Sequence, residues 1–157
     1  MDSKGPIFLD TNTLVRANIQ TAPRHPEALQ VLRKLRRVNA KLWISRQVLR
    51  EYLAVVTRPQ TFMQPLDSAK AASRAIYFQA HFRIAEDNAR VMRELLSLMK
   101  SIPLGGKQIH DANIIATMQV YRITQLLTLN PVDFTRFSSL ITVLSFEDVL
   151  HDLGSDT

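Results

Sequence analysis

The chain has 157 residues, 46% apolar and 22% charged, which suits one globular domain able to bury a core and excludes a disordered or low-complexity protein. It has no cysteine, so disulfides, thiolate metal sites and cysteine nucleophiles are excluded together. A formal charge of +6 favours polyanionic partners, and no apolar run approaches the roughly 20 residues that span a bilayer.

The first expected element is a short buried strand, Ile7-Phe8-Leu9, running into Asp10-Thr11-Asn12-Thr13, where the chain must turn. A carboxylate at a strand's carboxyl end lies where open α/β sheets bind ligands. Asp10 or Asn12 would equally serve as a cap for the next helix, and local sequence does not separate the two. A short helix is expected over residues 14–19, then Pro23 and Pro26 punctuate the chain. Residues 27–38 form a second helix with Ala28, Leu29, Val31, Leu32 and Leu35 as its apolar stripe. Arg33, Lys34, Arg36 and Arg37 crowd its last turns, either as a solvated end that complements the helix dipole or as a phosphate-contacting surface. Residues 42–44 read as a second strand, and Ser45 caps a helix reaching to about residue 57. On it Val48, Glu51, Tyr52 and Val55 share a face, so Glu51 interrupts an apolar stripe. A carboxylate there needs a cation, a metal, protonation or a stripe edge that lies in water.

Residues 62–65 read as a loop, Asp67 or Ser68 as the cap of a helix to about residue 78, and residues 81–85 as a third strand. A helix over 86–100 is expected to turn Val91, Met92, Leu95, Leu96, Leu98 and Met99 inward. Pro103, Gly105 and Gly106 mark a mobile loop without P-loop spacing. The helix over 108–121 packs Ala112, Ile115, Ala116 and Met118 inward and carries Asp111 in its first turns, where an acid is favoured in any case. Residues 125–128 read as a fourth strand, after which Asn130 as cap, Pro131 and Asp133 make a helix start that requires no function. A strand over 141–144 and a helix from residue 147 complete the chain. This alternation implies an α/β fold: a three-layer α/β/α domain with a central, mostly parallel sheet of about five strands. One domain is expected over 1–157, its ordered core at about 6–153 with short loose tails. In such a sheet Asp10 and the turn at 130–133 lie beyond strand carboxyl ends, and Glu51 and Asp111 on inward helix faces are placed to reach the same crevice.

Asp10, Glu51, Asp111 and Asp133 together offer carboxylates without a regular His or Cys ligand set, which suits Mg²⁺ or Mn²⁺. Phe8-Leu-Asp10-Thr-Asn12-Thr-Leu14, the stretch from Ser45 to Tyr52 with Glu51, His110-Asp111-Ala112 and Thr128-Leu-Asn130-Pro-Val-Asp133-Phe134 occur in an order that resembles the PIN-domain nucleases, in particular the toxin ribonucleases of bacterial VapBC toxin–antitoxin pairs. The resemblance covers nearly the whole chain. It implies metal-dependent hydrolysis of RNA phosphodiester bonds, with Asp10 and Asp111 as direct ligands, Glu51 binding metal or orienting water, and Asp133 at a fourth, more variable acidic position. Thr11, Asn12, Thr128 and Asn130 match positions that support these acids, and His110 receives no catalytic role. It also implies an RNA substrate, an antitoxin partner and a homodimer. Arg46, Arg50, Arg58, Lys107 and Arg136 lie near the motifs in sequence and are candidates for phosphate contacts, although surface solubility explains each equally. The amino-terminal Met-Asp-Ser-Lys-Gly-Pro holds no hydrophobic targeting core, so a cytoplasmic location without membrane association is expected. Two other readings remain at this stage: a PIN-like domain that binds RNA or protein without cutting, and a haloacid-dehalogenase-like phosphatase, suggested by the Asp10-Thr-Asn12-Thr order.

Overall fold

A computed structural model describes residues 5–152, so the expectation of loose tails falls outside the described residues. The first strand, β1 (Ile7–Leu9), is buried along its whole length, as an uninterrupted apolar triplet in a covered parallel sheet requires. Beside it lie β2 (Leu42–Ser45), β3 (Arg83–Ala85), β4 (Gln125–Leu127) and β5 (Thr142–Leu144) in the order β3-β2-β1-β4-β5. All four pairings are parallel, so the sheet expected to be mostly parallel is wholly so.

Two helices, α1 (Thr11–Asn18) and α2 (His25–Arg37), connect β1 to β2; α3 (Arg46–Val56) and α4 (Ser68–His81) connect β2 to β3. The chain then returns across the sheet through α5 (Ala89–Ser101) and α6 (Gln108–Val120) to reach β4 on the other side of β1. Right-handed crossovers put connections that run in opposite directions on opposite faces. Contacts follow this rule: α1 packs on α2 and α3, and α3 on α4, whereas α5 packs on α6 and α6 on the 3-10 helix Pro131–Phe137 that follows β4. The last helix, α7 (Phe146–Asp152), crosses back to pack on α2. Between the layers sits one continuous core with Phe8, Ile44, Tyr52, Ile115, Phe134 and Phe146 among its largest members. No helix among the described residues is long and apolar enough to cross a membrane.

Local sequence explains most boundaries. Ser45 accepts the Val48 N–H at 3.2 Å, Asp67 the Lys70 N–H at 2.8 Å, and Asn88 the Arg90 N–H at 3.0 Å, each starting a helix where the capping residue stands. The basic end of α2 is taken up within the fold: Lys34 Nζ donates to the Leu150 carbonyl at 2.8 Å, and Arg36 lies over the Phe82 ring at 5.1 Å.

Three expectations are corrected. The first helix begins at Thr11 instead of residue 14, because Asp10 itself caps it. On α5 only Val91, Leu95 and Leu98 are buried; Met92, Leu96 and Met99 are 52%, 50% and 40% exposed, since a single packed neighbour layer covers one narrow stripe. After Asn130 the chain takes a 3-10 helix in which the Asn130 side chain caps nothing, and Phe134 and Phe137, three apart, turn inward together.

Candidate active site

Strand order reverses at β1, whose two neighbours are reached by connections on opposite faces, and that reversal opens a crevice at the strand carboxyl ends. Asp10 stands there. Its backbone N–H still donates to the Leu127 carbonyl of β4 at 3.1 Å, so the residue is fixed across the reversal. One carboxylate oxygen accepts the Thr11 N–H at 2.8 Å and the other accepts the Thr128 hydroxyl at 2.8 Å. Thr128 Oγ1 in turn accepts the Asn130 N–H at 3.0 Å, and Asn12 Oδ1 accepts the Leu129 N–H at 3.2 Å. Asn12 and Thr128 thereby bind the start of α1 to the end of β4, while Asn130 joins that turn through its backbone.

Glu51 comes from α3. Its Oε2 accepts the Thr11 hydroxyl at 2.6 Å and its Oε1 accepts Gln47 Nε2 at 2.9 Å. Buried Gln47 also donates to the His110 carbonyl at 2.8 Å and accepts from Asn113 Nδ2 at 2.8 Å. This amide joins α3 to α6 one residue before Asp111. Sequence reasoning passed over it; its signal is a spacing of four from Glu51 on one helix face.

Asp10, Glu51, Asp111 and Asp133 line one pocket of about 450 Å³, together with Thr11, Asn12, Asn130 and Arg58. Among the described residues the Asp111 and Asp133 carboxylates accept no hydrogen bond and enter no ion pair. Burial pushes the Asp10 carboxyl up to about 6; hydrogen bonds from Thr128 and Thr11 oppose the rise, and the charges of Glu51 and Asp133 add to it. Asp111 is likewise pushed up to about 6, first by burial and then by Asp133, Asp10 and Glu51, with His110 opposing. The four acids therefore repel one another across a shared space.

Arg58 is the one phosphate-contact candidate on this pocket. Arg46 is turned away into a two-armed pair with Glu86 (2.8 and 3.1 Å), and Arg50 stands 3.8 Å from Asp87. Lys107 and Arg136 are exposed and do not line it. A residue that sequence reasoning missed, Arg16 of α1, does line it. It follows Asn12 by four positions, which sets it on the same helix face.

The donor set is all oxygen, which fits a hard divalent cation. Among the described residues no three His, Cys, Asp or Glu side chains form a ready-made cage. Mg²⁺ needs none: it retains several waters and is commonly held by one or two carboxylates, and the pocket has room for such a hydrated ion.

A family model described as PIN domain matches residues 7–139. The chain belongs to the PIN domain family. This PIN domain shares its fold with solved structures of low sequence identity. VapC20 of Mycobacterium tuberculosis, a toxin described as cleaving the sarcin–ricin loop, is 16% identical with a TM-score of 0.62, over 87% of this chain and 96% of that one. VapBC2 of Rickettsia felis, solved on a DNA fragment from its promoter, is 19% identical with a TM-score of 0.58, over 88% and 97%. A toxin–antitoxin complex from Klebsiella pneumoniae is 22% identical with a TM-score of 0.59, over 87% and 96%. No curated protein sequence matches the chain. The PIN assignment supersedes the phosphatase reading of the Asp10-Thr-Asn12-Thr order.

Proposed function

We propose that this PIN domain is a cytoplasmic, Mg²⁺- or Mn²⁺-dependent endoribonuclease and the toxin of a type II toxin–antitoxin pair. The observation that carries the reading is the convergence of Asp10, Glu51, Asp111 and Asp133 on one pocket without a neutralising partner. Asp10 and Asp111 hold the cation, Glu51 helps hold it or orients water, and Asp133 supplies a further acid. A bound divalent cation lowers the pKa of water and offsets charge building on the scissile phosphate. Thr11 and Thr128 each occupy one lone pair on Asp10, which leaves a lone pair on either oxygen for the pocket. Gln47 and Thr11 hold both Glu51 oxygens in a fixed orientation.

The toxin–antitoxin complexes among the structural neighbours support an antitoxin partner. The exposed row Met92, Leu96 and Met99 on α5 supports pairing with a second copy of the chain.

The test incubates the purified protein and an Asp10→Asn variant with structured and unstructured RNA in Mg²⁺, Mn²⁺ or EDTA. Loss of a residue that merely supports a metal ligand costs about 10–100-fold, so the variant should fall by at least about a hundredfold. Cleavage that survives EDTA, or equal cleavage by the variant, sinks the metal mechanism. RNA binding without cleavage under any metal favours the non-cleaving PIN-like reading.

A further inference from the structure

Arg16 presents a charge that the fold leaves unmet. Its Nε and Nη1 are buried, and among the described residues neither has a hydrogen-bond partner. It also makes no ion pair with the four carboxylates of the pocket it lines. A guanidinium cannot shed its proton to escape, and a buried charged donor without an acceptor is destabilising. Its place in the last turn of α1 accounts for the sign of the charge but not for the idle donors. The carbonyls at that end already have partners: Val15 accepts from the Ile19 N–H at 2.9 Å, and the Arg16 carbonyl lies 2.8 Å from His25 Nδ1.

What holds the group is the Phe62 ring, whose centroid lies 5.1 Å from Cζ. Phe62 belongs to the connection between α3 and α4, which is pinned on both sides. Gln60 and Met63 exchange backbone hydrogen bonds of 3.3 and 3.4 Å, Gln60 Nε2 donates to the Val55 carbonyl at 3.1 Å, and the Leu66 N–H donates to the Val56 carbonyl at 2.8 Å. The result is a guanidinium held in advance on an aromatic support, its Nε and Nη1 enclosed by the fold, at one wall of a pocket that four carboxylates and Arg58 also line.

We propose that Arg16, backed by Phe62, is the docking point for a phosphate of the RNA strand next to the one that is cut. This inference rests on the nuclease reading above. The scissile group belongs with the carboxylates around Asp10, and the six residues from Asp10 to Arg16 rise about 9 Å along the helix, so the two ends of the pocket meet different groups of one strand. With Nε and Nη1 enclosed, the guanidinium meets the phosphate through Nη2 in a charge-assisted hydrogen bond, and exposed Arg58 on the same pocket adds long-range attraction. The Arg16 contact needs no metal, which separates it from the catalytic centre.

The test measures binding in EDTA and cleavage in Mg²⁺ for a short single-stranded RNA whose phosphates are replaced one at a time by neutral methylphosphonates. With the unaltered protein, one replacement outside the cleaved bond should weaken binding about tenfold. Arg16→Gln should weaken binding of the unmodified strand by a similar factor, reduce the salt slope by about 1, and no longer respond at that position. Arg16→Lys should recover the salt slope and only part of the affinity. A uniform response of the unaltered protein to every replacement overturns the proposal, with no variant required. Unchanged affinity and slope in Arg16→Gln overturns it as well. Arg16-dependent binding without metal-dependent cleavage keeps the phosphate site and removes the nuclease reading. Cleavage with Arg16-independent binding does the reverse, and absence of both removes both.

Discussion

Asp10 does two jobs that different residues often divide, capping α1 through the Thr11 N–H and facing a pocket of other acids. Sequence left these as competing alternatives, whereas the geometry makes them one arrangement. The acidity of the site follows from it. A carboxyl held near 6 in the fold, against about 3.9 unfolded, binds more protons when folded. Asp10 therefore leaves the fold unpenalised below about pH 4 and destabilises it increasingly as pH rises through 6, by at most about 3 kcal/mol. In metal-free protein, Asp10→Asn should accordingly raise Tm at pH 7.5 and have little effect at pH 4, as read by calorimetry. Mg²⁺ should raise the Tm of the unaltered protein at pH 7.5 and that of the variant less. On the proposed metal mechanism, cation and proton compete for Asp10 and Asp111, so RNA cleavage should rise through about pH 6, and its midpoint should move down as Mg²⁺ is increased. A midpoint indifferent to Mg²⁺ would contradict this assignment of the two acids.

Between elements, the decisive link is the one from α3 to α6. Gln47 bonds at once to Glu51, the His110 carbonyl and Asn113, so a single amide keeps two acid-bearing helices in register. Gln47→Leu keeps the bulk and strands these partners; stability should fall by about 1–3 kcal/mol in urea titration, and cleavage should fall with it. Elements themselves were legible because apolar periods and capping residues act locally: Ser45 and Asp67 lie where their helices begin, whereas the helix expected from residue 86 starts at Ala89 behind an Asn88 cap that the apolar period does not mark. Gln47 was not legible, since its partners on α6 lie more than sixty positions away. On α5 the apolar residues wrap further round the helix than the fold covers, and a period cannot say where coverage stops. The uncovered Leu96 gives a test of the proposed self-pairing. Leu96→Glu should convert dimer to monomer in light scattering, with folding of the isolated chain changed by no more than about 0.5 kcal/mol. A dimer that survives the change is held by another face.

At the scale of the whole molecule, a basic protein encloses an acidic centre. The net charge of +6 was readable directly, but which cations face the pocket was not: proximity in sequence selected Arg46 and Arg50, which the fold turns toward Glu86 and Asp87. The same fold joins distant parts of the chain at its most important point. The hydrogen bond from Thr128 to Asp10 spans 118 residues. Polypeptides emerge amino end first, at about 5–20 residues per second. Asp10 is thus made early and waits, uncapped by β4 and without Asp111 or Asp133, until the last third of the chain arrives. A chain that stops before residue 111 has every residue of the opening motif but lacks Asp111 and Asp133 of the pocket it faces. On the proposed reading, in which the target is RNA, this order of synthesis would delay the cutting site until most of the chain is made and so spare the machinery that is making it.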